Sequence, residues 1–134
     1  MNRPALIVDD NDDYTSMLLN HLEPLGYNFD RAHSGREGWQ KWKETDLTHY
    51  HLVVTDITME SQTAGLSLIR KLRKAGYKGL IMVASTGVNN PLVLQITKLF
   101  YKLIGVDILV PKEPLKSGEF RCVGLSGGGR KFVV

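Results

Sequence analysis

Ala5-Leu6-Ile7-Val8-Asp9-Asp10 decides how this chain folds: four consecutive apolar residues stopped by two acids. A run apolar at every position has no solvated face, so it reads as a strand covered on both sides, as in a parallel sheet between two helical layers. The same pattern returns three times. His51-Leu52-Val53-Val54-Thr55 ends in Asp56, Leu80-Ile81-Met82-Val83-Ala84 ends in Ser85-Thr86-Gly87, and Asp107-Ile108-Leu109-Val110 ends in Pro111-Lys112. Tyr27 to Ala32 alternates instead, and is a weaker strand candidate.

Helical periodicity fills the gaps. Met17, Leu18, His21, Leu22 and Leu25 recur at helical spacing before Gly26. Ser34 and Glu37 read as a capping box opening a helix that carries Trp39 and Trp42 on one face. Leu66, Ile69, Leu72 and Arg73 precede Gly76, and Asn90-Pro91 opens a fourth helix running to Gly105. The order is βαβαβαβαβ, a doubly wound α/β domain, because right-handed crossovers place helices on both faces of a parallel sheet. After Pro114 no amphipathic helix can be drawn. Ser126-Gly127-Gly128-Gly129 reads as flexible, and Glu119–Val123 and Arg130–Val134 read as short strands or disorder. The expected division is a domain over residues 1–115 and a Gly-rich tail over 116–134.

Composition narrows the function. The 134 residues suffice for one domain, and 43% hydrophobic with 23% charged residues argues against disorder. A net charge of +3 is too mild to imply nucleic-acid binding. Cys122 is the sole cysteine, which excludes an internal disulfide framework and a multi-cysteine zinc site. No apolar run approaches the about 18 residues of a membrane span, and residues 1–10 lack a signal-peptide core, so a cytoplasmic protein is expected.

In a parallel sheet the carboxyl ends of the strands share one edge, where sites form. Asp9, Asp10, Asp56, Ser85 or Thr86, and Lys112 all lie at such ends. Two like charges about 4 Å apart repel by roughly 4 kcal/mol at an effective dielectric near 20. A divalent cation relieves this, and hard oxygen ligands suit Mg²⁺. Other readings fail. A calcium loop from Asp9 would have Tyr14 at its glycine and Asn20 at its glutamate. Gly124–Lys131 lacks phosphate-loop spacing, and His33, His49 and His51 form no ligand cluster. An aspartyl-nucleophile hydrolase would need Thr or Val after Asp12, where Asp13 stands.

With these pieces in order, the chain resembles a response-regulator receiver domain over residues 5 to about 115. The resemblance rests on Leu6-Ile7-Val8-Asp9-Asp10, Val53-Val54-Thr55-Asp56-Ile57-Thr58-Met59, Gly79 to Thr86, and Gly105-Val106-Asp107 with Lys112 beyond. It implies a flavodoxin-like five-stranded parallel sheet of order 2-1-3-4-5, with the family's final helix missing or replaced by an irregular tail. It also implies that Asp56 accepts a phosphoryl group from a histidine kinase or phosphotransfer protein. Asp10, Asp56 and the Thr58 backbone carbonyl would hold Mg²⁺, with Asp9 acting through water. Ser85, or alternatively Thr86, would be the switch hydroxyl, and Lys112 the lysine that pairs with the phosphoryl group. Such a chain catalyses only its own phosphorylation and dephosphorylation, and acts on a downstream protein rather than on nucleic acid or a membrane.

Departures from the family pattern set up further expectations. Glu60 replaces a proline, Glu113 intervenes between Lys112 and Pro114, and Leu109 stands where the family has a switch aromatic, with Tyr101 as a substitute. Thr58 and Gly87, at the water-orienting positions, imply slow self-dephosphorylation. The fourth helix carries more apolar residues than one buried stripe needs. With the final helix missing, one sheet face must be covered by the tail or by a second subunit, the latter making a homodimer through the fourth helix or the tail. The alternative to a phosphoacceptor is a degenerate receiver serving as a phosphorylation-independent interaction or dimerisation module.

Overall fold

All five strand candidates form in the computed structural model, which describes residues 3–57, 64–85 and 91–133. They are β1 (Arg3–Val8), β2 (Tyr27–Ala32), β3 (Leu52–Asp56), β4 (Leu80–Ser85) and β5 (Ile108–Pro111). All pair in parallel in the order β2-β1-β3-β4-β5, and a sixth strand, β6 (Val123–Gly124), adds antiparallel to the outer edge of β5. The alternation of side chains divides each central strand between two layers. Leu6, Val8, Val53, Ile81, Val83 and Leu109 face one core, and Ala5, Ile7, Leu52, Val54, Met82, Ile108 and Val110 the other.

The helices are α1 (Asp12–Leu22), α2 (Gly35–Lys43), α3 (Ala64–Lys74) and α4 (Pro91–Ile104). Asn11 caps α1, its Oδ1 accepting the Tyr14 N–H at 2.9 Å, and Asp12 and Asp13 oppose the positive end of the helix dipole. At α2 Ser34 caps as expected, its Oγ accepting the Glu37 N–H at 3.0 Å, while the Glu37 carboxylate reaches one residue past the cap and accepts the His33 N–H. Trp42 and the inner faces of α3 and α4 (Leu68, Ile69, Leu72, Tyr101) cover the first core, and Leu18 and Leu22 of α1 cover the second.

The carboxyl-terminal segment departs from the expectation of an irregular tail. A short α5 (Lys112–Lys116) follows β5 directly, with Pro114 at its third position, where no helical partner for an N–H exists to be lost. Residues 127–133, read from sequence as a flexible glycine stretch and then as a short strand or disorder, form helix α6 (Gly127–Val133). The reason is a cap: Ser126 Oγ accepts the Gly129 N–H at 3.0 Å and donates to Asp107 Oδ1 at 2.5 Å. Gly129 is buried where any Cβ would collide with the Asp107 carbonyl, so glycine there permits a close approach rather than freedom. Leu115, Phe120, Cys122 and Phe132 pack onto the α1-side core, and His21 of α1 stacks on Phe120 at 4.9 Å. The chain itself thereby covers the face left open by the missing long helix. Among the described residues, no helix is long and apolar enough to cross a membrane.

Candidate functional site

The neighbouring order β1-β3-β4-β5 brings four strand ends to one edge. Val8 is level with Thr55, Asp56 with Ala84, and Ser85 with Pro111, so the residues that follow emerge side by side. Asp9, Asp10 and Asp56 each place a carboxylate oxygen within 4.8 Å of the others. Asp9 and Asp56 are buried and Asp10 is exposed, so the cluster opens to solvent through Asp10.

Lys112 lies in the same pocket. Its buried Nζ stands 2.8 Å from Asp56 Oδ2 and 4.3 Å from the centroid of the Tyr14 ring. The intervening Glu113 does not displace it, because α5 starts at Lys112 itself and needs no cis bond, and none occurs among the described residues. The other Asp56 oxygen accepts the Ile57 N–H at 2.7 Å, which fixes the carboxylate plane. Gly65 at the start of α3 donates its N–H to the Ile57 carbonyl at 3.0 Å, and a Cβ there would strike the Asp56 carbonyl. Glycine is therefore required for α3 to dock against the end of β3.

Asp9 is the strained member of the group. Oδ1 accepts the Asn11 N–H at 2.9 Å, whereas Oδ2 is buried with no hydrogen-bond partner among the described residues. Burial raises its carboxyl above the usual carboxylate range. Asn11 and Lys112 pull it back down, and the neighbouring Asp56 and Asp10 charges push it up further. Arg31 braces the Asp9 backbone, donating from Nη2 to its carbonyl at 2.8 Å and pairing with Asp12 at 2.9 Å.

The structure thus brings together Asp9, Asp10, Asp56 and Lys112. Ser85 ends β4 one residue beyond Ala84, in the row of Ile81 and Val83 rather than that of Asp56. Thr86, Thr58, Glu60 and Gly87 lie outside the described residues. Leu109 is in the core and Tyr101 is buried. Among the described residues the donor set fits a hard divalent cation: three carboxylates, no nitrogen or sulfur ligand, and one buried oxygen without a partner.

A second polar cluster lay beyond sequence reasoning. Asp107 Oδ2 pairs with Arg73 Nη2 at 2.7 Å and accepts the Ile81 N–H at 2.9 Å. The Arg73 guanidinium also donates to the carbonyls of Tyr77, Gly79 and Gly105. With Ser126, this cluster ties α3, β4, the start of β5 and α6 together. A contact between residues 34 positions apart leaves no local signature.

A family model described as the response regulator receiver domain matches residues 5–103. The transcriptional regulatory protein CpxR homolog of Haemophilus influenzae is 29% identical over 107 residues, covering 80% of this chain and 42% of that protein. The chain spans less than half the length of the curated relatives it matches. The chemotaxis response regulator CheY4 of Vibrio cholerae superposes with a TM-score of 0.68 at 22% identity, covering 84% of this chain and 88% of that one. The response regulator TrrA of Thermotoga maritima, solved in complex with Mg(2+)-BeF, gives 0.53 at 29% identity over 61% of this chain and 68% of that one.

Proposed function

The chain belongs to the response regulator receiver domain family, and from that premise we propose that it is a phosphorylation switch with Asp56 as the acceptor. The observation that carries this reading is the buried pairing of Asp56 with Lys112 at 2.8 Å inside a carboxylate cluster whose buried Asp9 Oδ2 has no hydrogen-bond partner among the described residues. An Asp56 carboxylate oxygen attacks the phosphorus of a kinase or phosphotransfer phosphohistidine. The new O–P bond forms as the P–N bond breaks, the nitrogen keeps the electron pair, and the imidazole takes up a proton. Lys112 neutralises charge on the equatorial oxygens, and the Ile57 N–H holds the acceptor plane. Asp10 and Asp56, with Asp9 through water and the Thr58 carbonyl, would hold Mg²⁺, which when bound supplies further neutralisation of the phosphoryl oxygens. The complex of TrrA with Mg(2+)-BeF supports this assignment. Ser85 is assigned as the hydroxyl that engages the product, in preference to Thr86, because it ends β4 level with Pro111, the residue before Lys112; lying in the row of Ile81 and Val83, it must turn toward Asp56 to do so. The new charge on Asp56 then biases the loops at this edge toward a second arrangement read by a downstream cytoplasmic protein.

The test is intact mass after incubation with acetyl phosphate and Mg²⁺, for the wild type and Asp56→Asn. One phosphoryl group on the wild type alone supports the switch. No gain, with acetyl phosphate or with a cognate kinase, overturns it in favour of a phosphorylation-independent interaction module. That second reading is favoured by α4, whose Ile96, Leu99, Phe100 and Leu103 are 63%, 59%, 46% and 77% exposed.

A further inference from the structure

Helices α3 and α4 pack on the same face of the sheet and leave a groove of about 690 Å³ between them. Leu66, Phe100 and Ile104 supply its apolar lining, and Arg70, Lys71 and Lys74 stand along the α3 side. The apolar character continues outward on α4 through Ile96, Leu99 and Leu103, all exposed. This is a large apolar stripe for a solvated helix, and such stripes mark contact surfaces.

The charge beside the stripe says what would cover it. Arg70, Lys71, Arg73 and Lys74 on α3 and Lys98 and Lys102 on α4 are six of the chain's 17 cations, and neither helix contains any of its 14 acids. Arg73 is neutralised by Asp107. Among the described residues, Arg70, Lys71 and Lys74 have no carboxylate within ion-pair distance, and all three are exposed. A second copy of the chain would bring the same excess of cations to the contact and be repelled. A bilayer surface would meet the α4 ridge but leave the groove beneath it unfilled. An open groove between two helices, apolar at its base and flanked by charge, is the form of surface that takes the apolar face of an amphipathic helix. We propose that the α3–α4 groove docks an acidic amphipathic helix of a partner protein, its apolar side chains against Leu66, Phe100 and Ile104 and its carboxylates against Arg70, Lys71 and Lys74. This goes beyond the phosphoacceptor reading and uses none of its residues.

The experiment is fluorescence anisotropy with the full, unphosphorylated chain and a labelled helical probe peptide of about 18 residues, long enough to follow α4. The peptide carries leucines on one face and glutamates on its flanks, and a control peptide has every glutamate replaced by lysine. Saturable binding of the glutamate peptide is expected, with none of the lysine peptide. The double variants Arg70→Glu with Lys74→Glu and Leu99→Ser with Leu103→Ser should each weaken it by about tenfold or more. All four positions are exposed, so both variants should keep the wild-type melting temperature. Absence of saturable binding overturns the proposal, and so does binding that survives the charge reversal. Sedimentation showing a dimer that is lost in the leucine variant and kept in the charge variant overturns it in favour of self-association. Co-sedimentation with phosphatidylserine vesicles without peptide binding overturns it in favour of a lipid surface.

Discussion

Replacing Lys112 by methionine removes one charge from the pocket while keeping most of the stem that lies against Tyr14. The ammonium sits 2.8 Å from Asp56 Oδ2, and both side chains are buried. Removing one partner of a buried pair leaves the other uncompensated and costs about 3–5 kcal/mol. The surroundings place this case at the upper end, since the remaining charges, Asp9 and Asp10, each have an oxygen within 4.8 Å of one on Asp56 and are negative. For a chain of this length each kcal/mol moves the melting temperature by about 3–5 °C, so Lys112→Met in EDTA should melt about 15–25 °C below the wild type. Mg²⁺ should then do more for the variant than for the wild type, because the lysine no longer competes for the same carboxylates. A site saturated about a hundredfold over its dissociation constant gains about 2.7 kcal/mol, and the variant should recover at least that much. The assay is thermal and urea unfolding of both proteins in EDTA and across a Mg²⁺ titration. A loss in EDTA below about 1 kcal/mol, the range of an exposed pair, would refute the view that Lys112 compensates the cluster. Equal Mg²⁺ shifts in the two proteins would refute the view that lysine and cation share it.

Four further outcomes are expected. Asp9→Asn should stabilise the metal-free protein at neutral pH. Asp9 is protonated more readily folded than unfolded, so its charge costs stability above its folded-state pKa, and the advantage of the variant should vanish as pH falls below the unfolded value of 3.8; urea titrations from acid to neutral pH would detect it, and a constant difference would contradict the assignment. Asp107→Ala should cost about 3 kcal/mol, from the unpaired Ile81 N–H and the lost Arg73 pair, and should raise hydrogen exchange in α6, which depends on Ser126. Gly65→Ala should cost about 2 kcal/mol or more and slow phosphorylation of Asp56 by acetyl phosphate, because the added Cβ meets the Asp56 and Ile57 backbone. The phosphorylated protein, isolated from phosphodonor, should keep its label with a slow decay, since neither Thr58 nor Gly87 is an acid or amide able to orient water; rapid loss followed by mass spectrometry would contradict this.

The strands and the acidic cluster were legible because both are local. A run such as Leu6-Ile7-Val8 declares its burial within itself, and Asp9, Asp56 and Lys112 declare their place by following such runs. Parallel pairing then does the assembling, without any need to know a distance. Helix α6 was not legible, because three glycines in a row carry no helical propensity. What holds it is Ser126 at its start, Phe132 against the α1-side core, and the fit of Gly129 against the Asp107 carbonyl. Asp107 was quoted for its motif, yet its partners Arg73 and Ser126 are 34 and 19 positions away and meet only in the folded chain. Glu113 works the other way: it breaks the family's step from lysine to proline in the sequence, but a helix starting at Lys112 absorbs the extra residue.

The two-residue strand β6 also determines how copies of this protein can stick to one another. A sheet with two open edges can recruit a further strand on each side, and the product still has two open edges, so growth has no natural end. Here β6 covers Ile108 and Leu109 of β5, and helix α6 packs against β6. The opposite edge is β2, where Asp30 and Arg31 sit within the strand. The β5 side therefore offers only the two-residue β6 as an outer strand, so accidental sheet pairing favours the longer β2 edge and dimers over fibres. Loss of Val123–Gly124 would restore the second edge and make polymerisation possible.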